Sequence, residues 1–297
     1  MILKAVVGSE LAGQRLDDGA KALFPQFSKT RIRRAIDWGG CRVSRSVVRT
    51  ASRPLREGDV ITLAVTDREP FREWIVTEAD VLLDDGEYIA VNKPAGIYCQ
   101  RTPYQLKGTI EHAVGVHLRS RGLMEPARVI HRLDRGTSGV MFFPKTRRAA
   151  AWISRQLMEG KVQKIYWALI PRTPGDAEWT VDAPVASLGK SRFGVASRGK
   201  EARTSFRVLS TGERGALLEA RPLTGRTHQI RVHLAHGGFP VIGDDRYDGD
   251  PAPRMMLHCR RMSFSSEDGR RIDATAPADA AFRRACARCG AALEEYP

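Results

Sequence analysis

The sequence has no long apolar run and no segment typical of a targeting signal. No stretch approaches the roughly 20 apolar residues that a membrane-spanning helix requires. The start, Met1 to Lys4, lacks the basic segment, apolar core and cleavage site of a secretory signal. We therefore expect a cytoplasmic protein without a membrane partner.

Cysteine is scarce, and its spacing does not indicate a metal site. Cys286 and Cys289 form one Cys-x-x-Cys, whereas a structural zinc site normally needs four ligands. No acid or cysteine completes a ligand set with His228, His233 and His236, so we expect no metal. An odd number of cysteines without a secretory signal predicts reduced thiols. The cysteines are Cys41, Cys99, Cys259, Cys286 and Cys289.

Acidic residues are too few to balance the basic ones. The 297 residues include 34 Asp/Glu against 48 Lys/Arg, a net charge of +14. Such an excess favours a polyanionic partner, and we expect RNA. Anionic lipid is the alternative, but the sequence contains no basic amphipathic anchor. The hydrophobic content of 42% indicates a folded chain, long enough for one large and one small domain.

The small domain is predicted at residues 1–66. One apolar helical face is followed by Ser28, a favourable N-cap for a second helix over 29–38. The second helix is strongly basic, which indicates either a solvated face or a stripe that contacts a phosphate backbone. Short β-patterned segments follow at 41–43, 47–48 and 60–63. The candidate RNA-binding residues are Lys29, Arg31, Arg33, Arg34 and Arg42.

This small domain resembles the S4 RNA-binding domain, and the resemblance implies contact with RNA. One departure is Val43-Ser44-Arg45, where that family usually has a Val-Asn-Gly turn. The matching segments are Arg15-Leu16-Asp17, Ser28-Lys29-Thr30-Arg31-Ile32, Gly39-Gly40-Cys41-Arg42-Val43 and Gly58-Asp59.

The larger domain is predicted at 80–275, after a polar linker at 67–79 and before a C-terminal tail at 276–297. Many short strands alternate with few helices, which favours an α+β fold with a mixed, mostly antiparallel sheet. The segment 223–234 begins as a turn and continues as either a helix or a strand. Helices are predicted at 109–119 and 145–158, and strands at 81–83, 88–91, 165–170, 203–210, 216–221 and 256–258.

A dense polar segment lies within residues 129–143. Val129-Ile130 and the run Val140 to Phe143 are predicted as two short buried strands. Asp134 lies between them, beside Arg132 and Arg135. From these residues alone, Asp134 is either a functional carboxylate or the acidic partner in a hairpin salt bridge.

Three motifs, in this order, resemble the RluA-type pseudouridine synthases, a match that covers about residues 80–275. Asn92-Lys93-Pro94-Ala95-Gly96 upstream and Gly243-Asp244 downstream agree with it, and an S4-like domain in front is typical of that family's larger members. The motifs are His131-Arg132-Leu133-Asp134-Arg135-x-Thr137-Ser138-Gly139, Lys164-Ile165-Tyr166-x-Ala168 and Gly225-Arg226-Thr227-His228-Gln229-Ile230-Arg231-Val232-His233.

The resemblance implies specific roles. Asp134 corresponds to the essential catalytic aspartate, Tyr166 to the aromatic residue that lies against the uracil, and Arg231 to the ion-pair partner of Asp134. Arg132 corresponds to the residue that replaces the flipped uridine in the RNA stack. Taken alone, Tyr166 is typical of a core residue and Arg231 of a surface residue. The reaction neither oxidises nor hydrolyses anything, so the resemblance implies no cofactor or metal.

The sequence therefore predicts a monomeric isomerase that converts uridines in RNA to pseudouridine. Large-subunit (23S) rRNA is the expected substrate, with tRNA as the alternative. A non-catalytic RNA-binding or ribosome-assembly factor on the same scaffold is the competing hypothesis.

Overall fold

The computed structural model describes residues 1–65, 73–102, 105–189 and 192–293. The chain divides into two compact units, the first formed by Met1–Ile75 with Tyr98–Gly122 and the second by Val76–Ile97 with the chain from Leu123 onward. Thus 98–122 groups with the N-terminal residues and not with the predicted larger domain. Residues 66–72, which include the first part of the predicted linker, and 294–297 of the predicted tail lie outside the described residues.

Unit 1 contains a four-stranded sheet in the order β1-β4-β2-β3, with every pair antiparallel. The apolar faces of its first two helices pack on this sheet, and Leu16, Ala20, Ile32 and Ile36 are fully buried. Ser28 caps α2 by accepting the Arg31 N–H, as predicted. The elements are β1 (Ile2–Val6), a 3₁₀ turn (Ser9–Leu11), α1 (Leu16–Leu23), α2 (Lys29–Asp37), β2 (Cys41–Val43), β3 (Ser46–Val47), β4 (Val60–Ala64) and α3 (Ile110–Ser120).

Unit 2 is built on one large sheet. Within the described residues nine strands join it, eight of them in the order β5-β6-β7-β14-β8-β13-β12-β9 and the ninth, β15, beside β14. A 3₁₀ turn, Glu78–Asp80, precedes the first strand. The strands are β5 (Val81–Asp84), β6 (Tyr88–Lys93), β7 (Ser138–Pro144), β8 (Gln163–Ile170), β9 (Glu178–Asp182), β10 (Val185–Gly189), β11 (Arg192–Val195), β12 (Arg203–Gly212), β13 (Gly215–Pro222), β14 (Leu257–Ser265) and β15 (Arg271–Thr275).

The sheet of unit 2 is antiparallel except where β7 runs parallel to β14. Strands β10 and β11 form a separate hairpin. The predicted mixed, mostly antiparallel α+β architecture is confirmed. No helix in the described part of the chain is long and apolar enough to cross a membrane. The helices are α4 (Arg147–Met158), α5 (Gln229–His236) and α6 (Ala280–Cys289).

Helix α6 lies in the segment predicted as a C-terminal tail. Phe282, Ala285 and Cys286 are buried in the same core as β8, β13 and β14, and the Phe282 ring stacks on Trp167 at 6.4 Å. The described part of this segment is therefore integral to unit 2. Burial raises the pKa of the Cys286 thiol to about 12, as expected for an inert core cysteine.

The strand predicted at Val129-Ile130 is wrong, because these two residues are half-buried loop. Strand β14 pairs only with the first two residues of β7. Beyond them, the Phe142 N–H donates to the His131 Nε2 atom at 3.0 Å. A side chain thus takes the hydrogen bond that a paired strand would have made.

Two histidines, His131 and His258, make hydrogen bonds in their neutral form between the large sheet and the segments beside it. Burial, with a smaller contribution from Lys164, lowers the pKa of His131 to about 3. His258 lies on β14 between the Ser138 hydroxyl and the Ala276 carbonyl, at 2.8 and 3.0 Å. Burial lowers its pKa to about 4.

These two histidines should make the fold sensitive to mild acid. Below about pH 6.5 these histidines bind protons in the unfolded chain but stay neutral in the folded one. The free energy of unfolding therefore decreases as the pH falls, until the pH reaches the pKa of each histidine in the folded state. Together they should lower the free energy of unfolding by about 4 kcal/mol between pH 7.5 and pH 5. Denaturant unfolding should show this decrease in the free energy of unfolding. In the His131→Gln/His258→Gln variant, the decrease over the same pH range should be smaller by about 4 kcal/mol. An unchanged pH dependence would contradict this assignment.

Candidate active site

Asp134 lies in the loop that leads into β7, and the buried side chain of Lys93 makes hydrogen bonds to the backbone of this loop. Lys93 is fully buried at the end of β6. Its ammonium donates to the carbonyls of Pro94, Arg135 and Thr137 at 2.9, 3.3 and 2.7 Å. The Thr137 N–H closes a turn by donating to the Asp134 carbonyl at 3.1 Å. The backbone on both sides of Asp134 is therefore fixed.

Gly139 allows the loop to pass close to the sheet. It lies opposite Cys259, has φ of +113°, and a Cβ there would come within 2.1 Å of the Cys259 carbonyl oxygen. Only glycine combines that φ with so close a backbone approach. The loop and β14 are thus in direct contact five residues after Asp134.

Arg231 pairs with Asp134, as expected from the resemblance. The Arg231 Nη1 atom donates to Asp134 Oδ2 at 2.7 Å. Its Nε and Nη2 atoms donate to the two oxygens of Asp244 at 2.6 and 2.8 Å, a bidentate geometry that fixes the guanidinium plane. Arg231 and Asp244 are buried, whereas the Asp134 side chain is 25% exposed. One carboxylate anchors the arginine and the other remains accessible.

The surroundings of Arg231 favour its charge. Burial alone would lower its pKa, but the hydrogen bonds that it donates to Asp244 and the charges of both aspartates outweigh that effect and raise it. The guanidinium also lies over the Tyr247 ring, with 4.9 Å from Cζ to the ring centroid. This cation–π contact replaces part of the lost hydration.

Helix α5 carries Arg231, which decides between the helix and the strand left open for this segment. The helix begins after His228, whose φ of +58° is left-handed. Its side chain lies between Tyr247 and Asp134, with 2.8 Å from Nδ1 to the Tyr247 hydroxyl and 3.9 Å from Nε2 to Asp134 Oδ1.

Tyr166 lies on β8, half-buried, opposite Cys259 on one side and Ala220 on the other. Cys259 on β14 in turn lies opposite Gly139 on β7. Tyr166, Cys259 and Gly139 are therefore neighbours across three adjacent strands. Burial raises the pKa of the Cys259 thiol to about 12, although a hydrogen bond from Tyr166 acts against this. Arg132 is exposed, two residues before Asp134.

The basic residues of unit 1 fall into two groups. Lys29 and Arg33 face Asp17, which is fully buried, with 2.5 Å from Arg33 Nε to Asp17 Oδ2. Burial acts to raise the pKa of Asp17, but hydrogen bonds from Arg15 and Arg33 lower it to about 2. Lys29 and Arg33 therefore have a structural task that the sequence did not reveal.

The other three predicted RNA-binding residues do not contact Asp17. Arg31 lies over the Phe27 ring at 5.2 Å, Arg34 is exposed on α2, and Arg42 is half-buried on β2. Arg31 and Arg34 are three residues apart, so they lie on the same side of the helix. Arg31 is half-buried and Arg34 is exposed, so Arg34 is the more accessible charge of this pair.

No group of three or more His, Cys, Asp or Glu residues with metal-binding geometry occurs in the described ranges. His233 is instead a packing residue, hydrogen-bonded to the Thr204 hydroxyl and the Ala183 carbonyl, both at 2.9 Å.

Four residues of this site had no role assigned from sequence: Lys93, His228, Asp244 and Tyr247. The first three lie inside the motifs that carry the resemblance, which was a usable signal. Tyr247 lies outside them, and only the fold brings it beneath Arg231.

The chain is similar to known RNA pseudouridine synthases. The RNA pseudouridylate synthase family model matches residues 87–236. An uncharacterised RNA pseudouridine synthase of Aquifex aeolicus is 35% identical over 82% of this chain and 80% of its own length. Ribosomal large subunit pseudouridine synthase D of Pseudomonas aeruginosa is 33% identical over 82% of this chain and 77% of its own length.

Among solved structures, human RNA pseudouridylate synthase domain containing 4 has a similar fold. It matches with a TM-score of 0.62 and 23% identity, over 72% of this chain and 94% of its own. The family model covers half of the chain and the relatives extend over most of it. The chain therefore belongs to the RNA pseudouridylate synthase family.

Proposed function

We propose that the chain isomerises uridines of large-subunit rRNA to pseudouridine, with Asp134 as the catalytic carboxylate. The observation that carries this proposal is the Asp134–Arg231–Asp244 arrangement. It presents one accessible, ion-paired carboxylate on a loop whose backbone is fixed.

The reaction breaks the N1–C1′ bond of uridine, turns the detached uracil and joins its C5 atom to C1′. Substrate and product have the same atoms and oxidation state, and the proton lost from C5 is balanced by the one gained at N1. An ionised carboxylate serves either attack on the sugar or removal of a sugar proton. The Arg231 Nη1 atom donates to Asp134 Oδ2 at 2.7 Å and so fixes one oxygen of the carboxylate.

The substrate base must leave the RNA stack to reach Asp134, at a cost of a few kcal/mol. Arg132 is exposed beside the catalytic loop, and its planar guanidinium can stack and hydrogen-bond in the vacated position. Tyr166 offers an aromatic face against which a detached uracil can stay oriented.

The RNA class is proposed from the relatives. Several proteins about 30% identical to this chain carry the name ribosomal large subunit pseudouridine synthase C or D. Asp134, Arg231 and Asp244 all come from one chain, which supports action as a monomer. We propose a cytoplasmic location, as expected of an enzyme that acts on the same kind of RNA as its bacterial relatives are named for.

Asp134→Asn should abolish isomerisation while RNA binding persists, because the amide keeps the shape of the carboxylate without its charge. We expect kcat to fall by at least about 1,000-fold, measured as pseudouridine formed in large-subunit rRNA transcripts. Asp273→Asn is the matched control, since Asp273 pairs with Arg261 and Arg271 in a separate cluster. Normal modification by the Asp134→Asn protein would disprove the assignment.

Deleting the encoding gene should remove specific pseudouridines from large-subunit rRNA. A transcriptome-wide pseudouridine map of the deletion strain tests this, with wild-type and Asp134→Asn genes returned separately. Only the wild-type gene should restore the sites. If no site is lost in any RNA, the non-catalytic assembly factor becomes the better hypothesis, and sites lost only from tRNA would change the substrate.

Arg31→Gln/Arg34→Gln should weaken RNA binding, because two positive charges on α2 are lost. Loss of two phosphate contacts should reduce the slope of log K against log salt by about 2. The matched variant Arg33→Gln removes a partner of buried Asp17, so it should lower the melting temperature. The test is to measure the RNA affinity of each variant over about a sixfold range of salt concentration, from ~50 to ~300 mM. An unchanged slope in Arg31→Gln/Arg34→Gln would exclude α2 from the RNA interface.

A further inference from the structure

His228 occupies a strained position beside the catalytic carboxylate. Within the described residues, only Ser44, His228 and Asp248 have a positive φ without being glycine. A left-handed conformation costs about 1–2 kcal/mol for such a residue and persists where the surroundings fix it. Here the conformation directs the imidazole between Tyr247 and Asp134.

The contacts of Tyr247 determine where the imidazole carries its proton. The Phe193 N–H donates to the Tyr247 oxygen at 3.3 Å. Burial raises the pKa of Tyr247, so the hydroxyl keeps its own proton. His228 Nδ1, at 2.8 Å, is the acceptor that the described residues offer to that proton. Tyr247 therefore donates to Nδ1.

The opposite nitrogen then bears the hydrogen. Burial lowers the pKa of His228, so the ring is neutral near pH 7 and has one N–H, on Nε2. Nε2 faces Asp134 Oδ1 at 3.9 Å. A carboxylate oxygen attracts an N–H and repels a nitrogen lone pair, so the charge of Asp134 favours the same tautomer.

We propose that His228 is a positioning residue whose Nε2–H donates to Asp134 Oδ1 when RNA is bound. Arg231 already holds Oδ2, so each carboxylate oxygen then has its own donor. The 3.9 Å between His228 Nε2 and Asp134 Oδ1 is longer than a hydrogen bond. Hydrogen bonds in active sites often shorten to their full strength only in the substrate complex. This inference rests on the proposed function of Asp134.

Two donors on two oxygens fix the carboxylate plane more tightly than one. Each oxygen keeps a second lone pair, so the carboxylate can still reach the sugar. The Phe193 ring lies edge-on to the imidazole at 5.3 Å and limits its rotation. A misplaced catalytic group can cost about 100-fold in rate, which sets the scale of the expected effect.

A pair of amide variants separates positioning from packing. His228→Asn tolerates the left-handed backbone but places its donor near the position of Nδ1, away from Asp134. His228→Gln is longer by one methylene and places an N–H near the position of Nε2. We expect kcat to fall about 100-fold in His228→Asn with KM unchanged, and His228→Gln to recover at least about 10-fold of that loss.

The tautomer can be measured without a catalytic assay. In the ¹⁵N-histidine-labelled wild-type protein, the His228 signals should show a protonated Nε2 and an unprotonated Nδ1. His228→Gln identifies the signals by their disappearance. Tyr247→Phe removes the hydroxyl that fixes the proton, so the His228 signals should shift towards a mixture of tautomers, with an intermediate loss of kcat.

Three results would overturn the inference: a proton on Nδ1 in the wild-type protein, wild-type kcat in His228→Asn, or equal losses in His228→Asn and His228→Gln. The last would indicate a packing role. These results differ from a failure of the proposed function, in which the wild-type protein itself forms no pseudouridine and the Asp134→Asn variant is indistinguishable from it.

Discussion

The candidate active site of unit 2 depends on one buried arginine shared by two carboxylates. Asp244 holds Arg231 through two hydrogen bonds, and Arg231 in turn holds Asp134. Burying a guanidinium is costly unless its charge and its N–H groups are matched. Asp244 accepts two of its hydrogen bonds, and the face of the Tyr247 ring lies against its charge. The remaining Nη1 atom of Arg231 is therefore available to donate to the accessible Asp134.

The remainder of the site keeps this arrangement in place from several directions. Lys93 fixes the backbone around Asp134, and Gly139 brings the loop against β14. Gln229, at the start of α5, donates to the Arg203 carbonyl and the Thr204 hydroxyl, both at 3.0 Å. The arginine and the aspartate are thus attached separately to rigid parts of one sheet, as orientation-dependent catalysis requires.

Unit 1 shows why a basic stripe cannot be assigned to RNA by charge alone. All four cationic residues of α2 were candidates, but Arg33 compensates buried Asp17 and Lys29 pairs with Asp18. A buried carboxylate needs paired charges to remain ionised. The sequence shows the charges of a helix, whereas the opposing acid comes from a different helix, α1, and its burial is visible only after folding.

Local patterns were sufficient for most of the fold. The apolar faces of α1, α2, α3 and α4, the Ser28 cap and strands β5, β6, β7, β8, β12, β13 and β14 follow from short-range periodicity, which depends on residues within one or two turns. Strands β9, β10, β11 and β15 were not predicted. The strand expected at Val129-Ile130 failed because a His131 side chain replaced a backbone partner. Helix α6 was left as a tail because its burial depends on Trp167 and other distant residues.

The sequence by itself determined the family and the reaction class, and it led to the proposal of Asp134 and Arg231 as site residues, because those residues lie in contiguous motifs that contain their own signal. The tertiary structure decided which groups touch them. Asp134 and Arg231 are 97 positions apart, Tyr247 carries no motif, and Asp244 became an anchor only through its geometry. Hydrogen bonding and desolvation depend on distances in space, so the partners and the accessibility of each candidate site residue follow only from the folded chain.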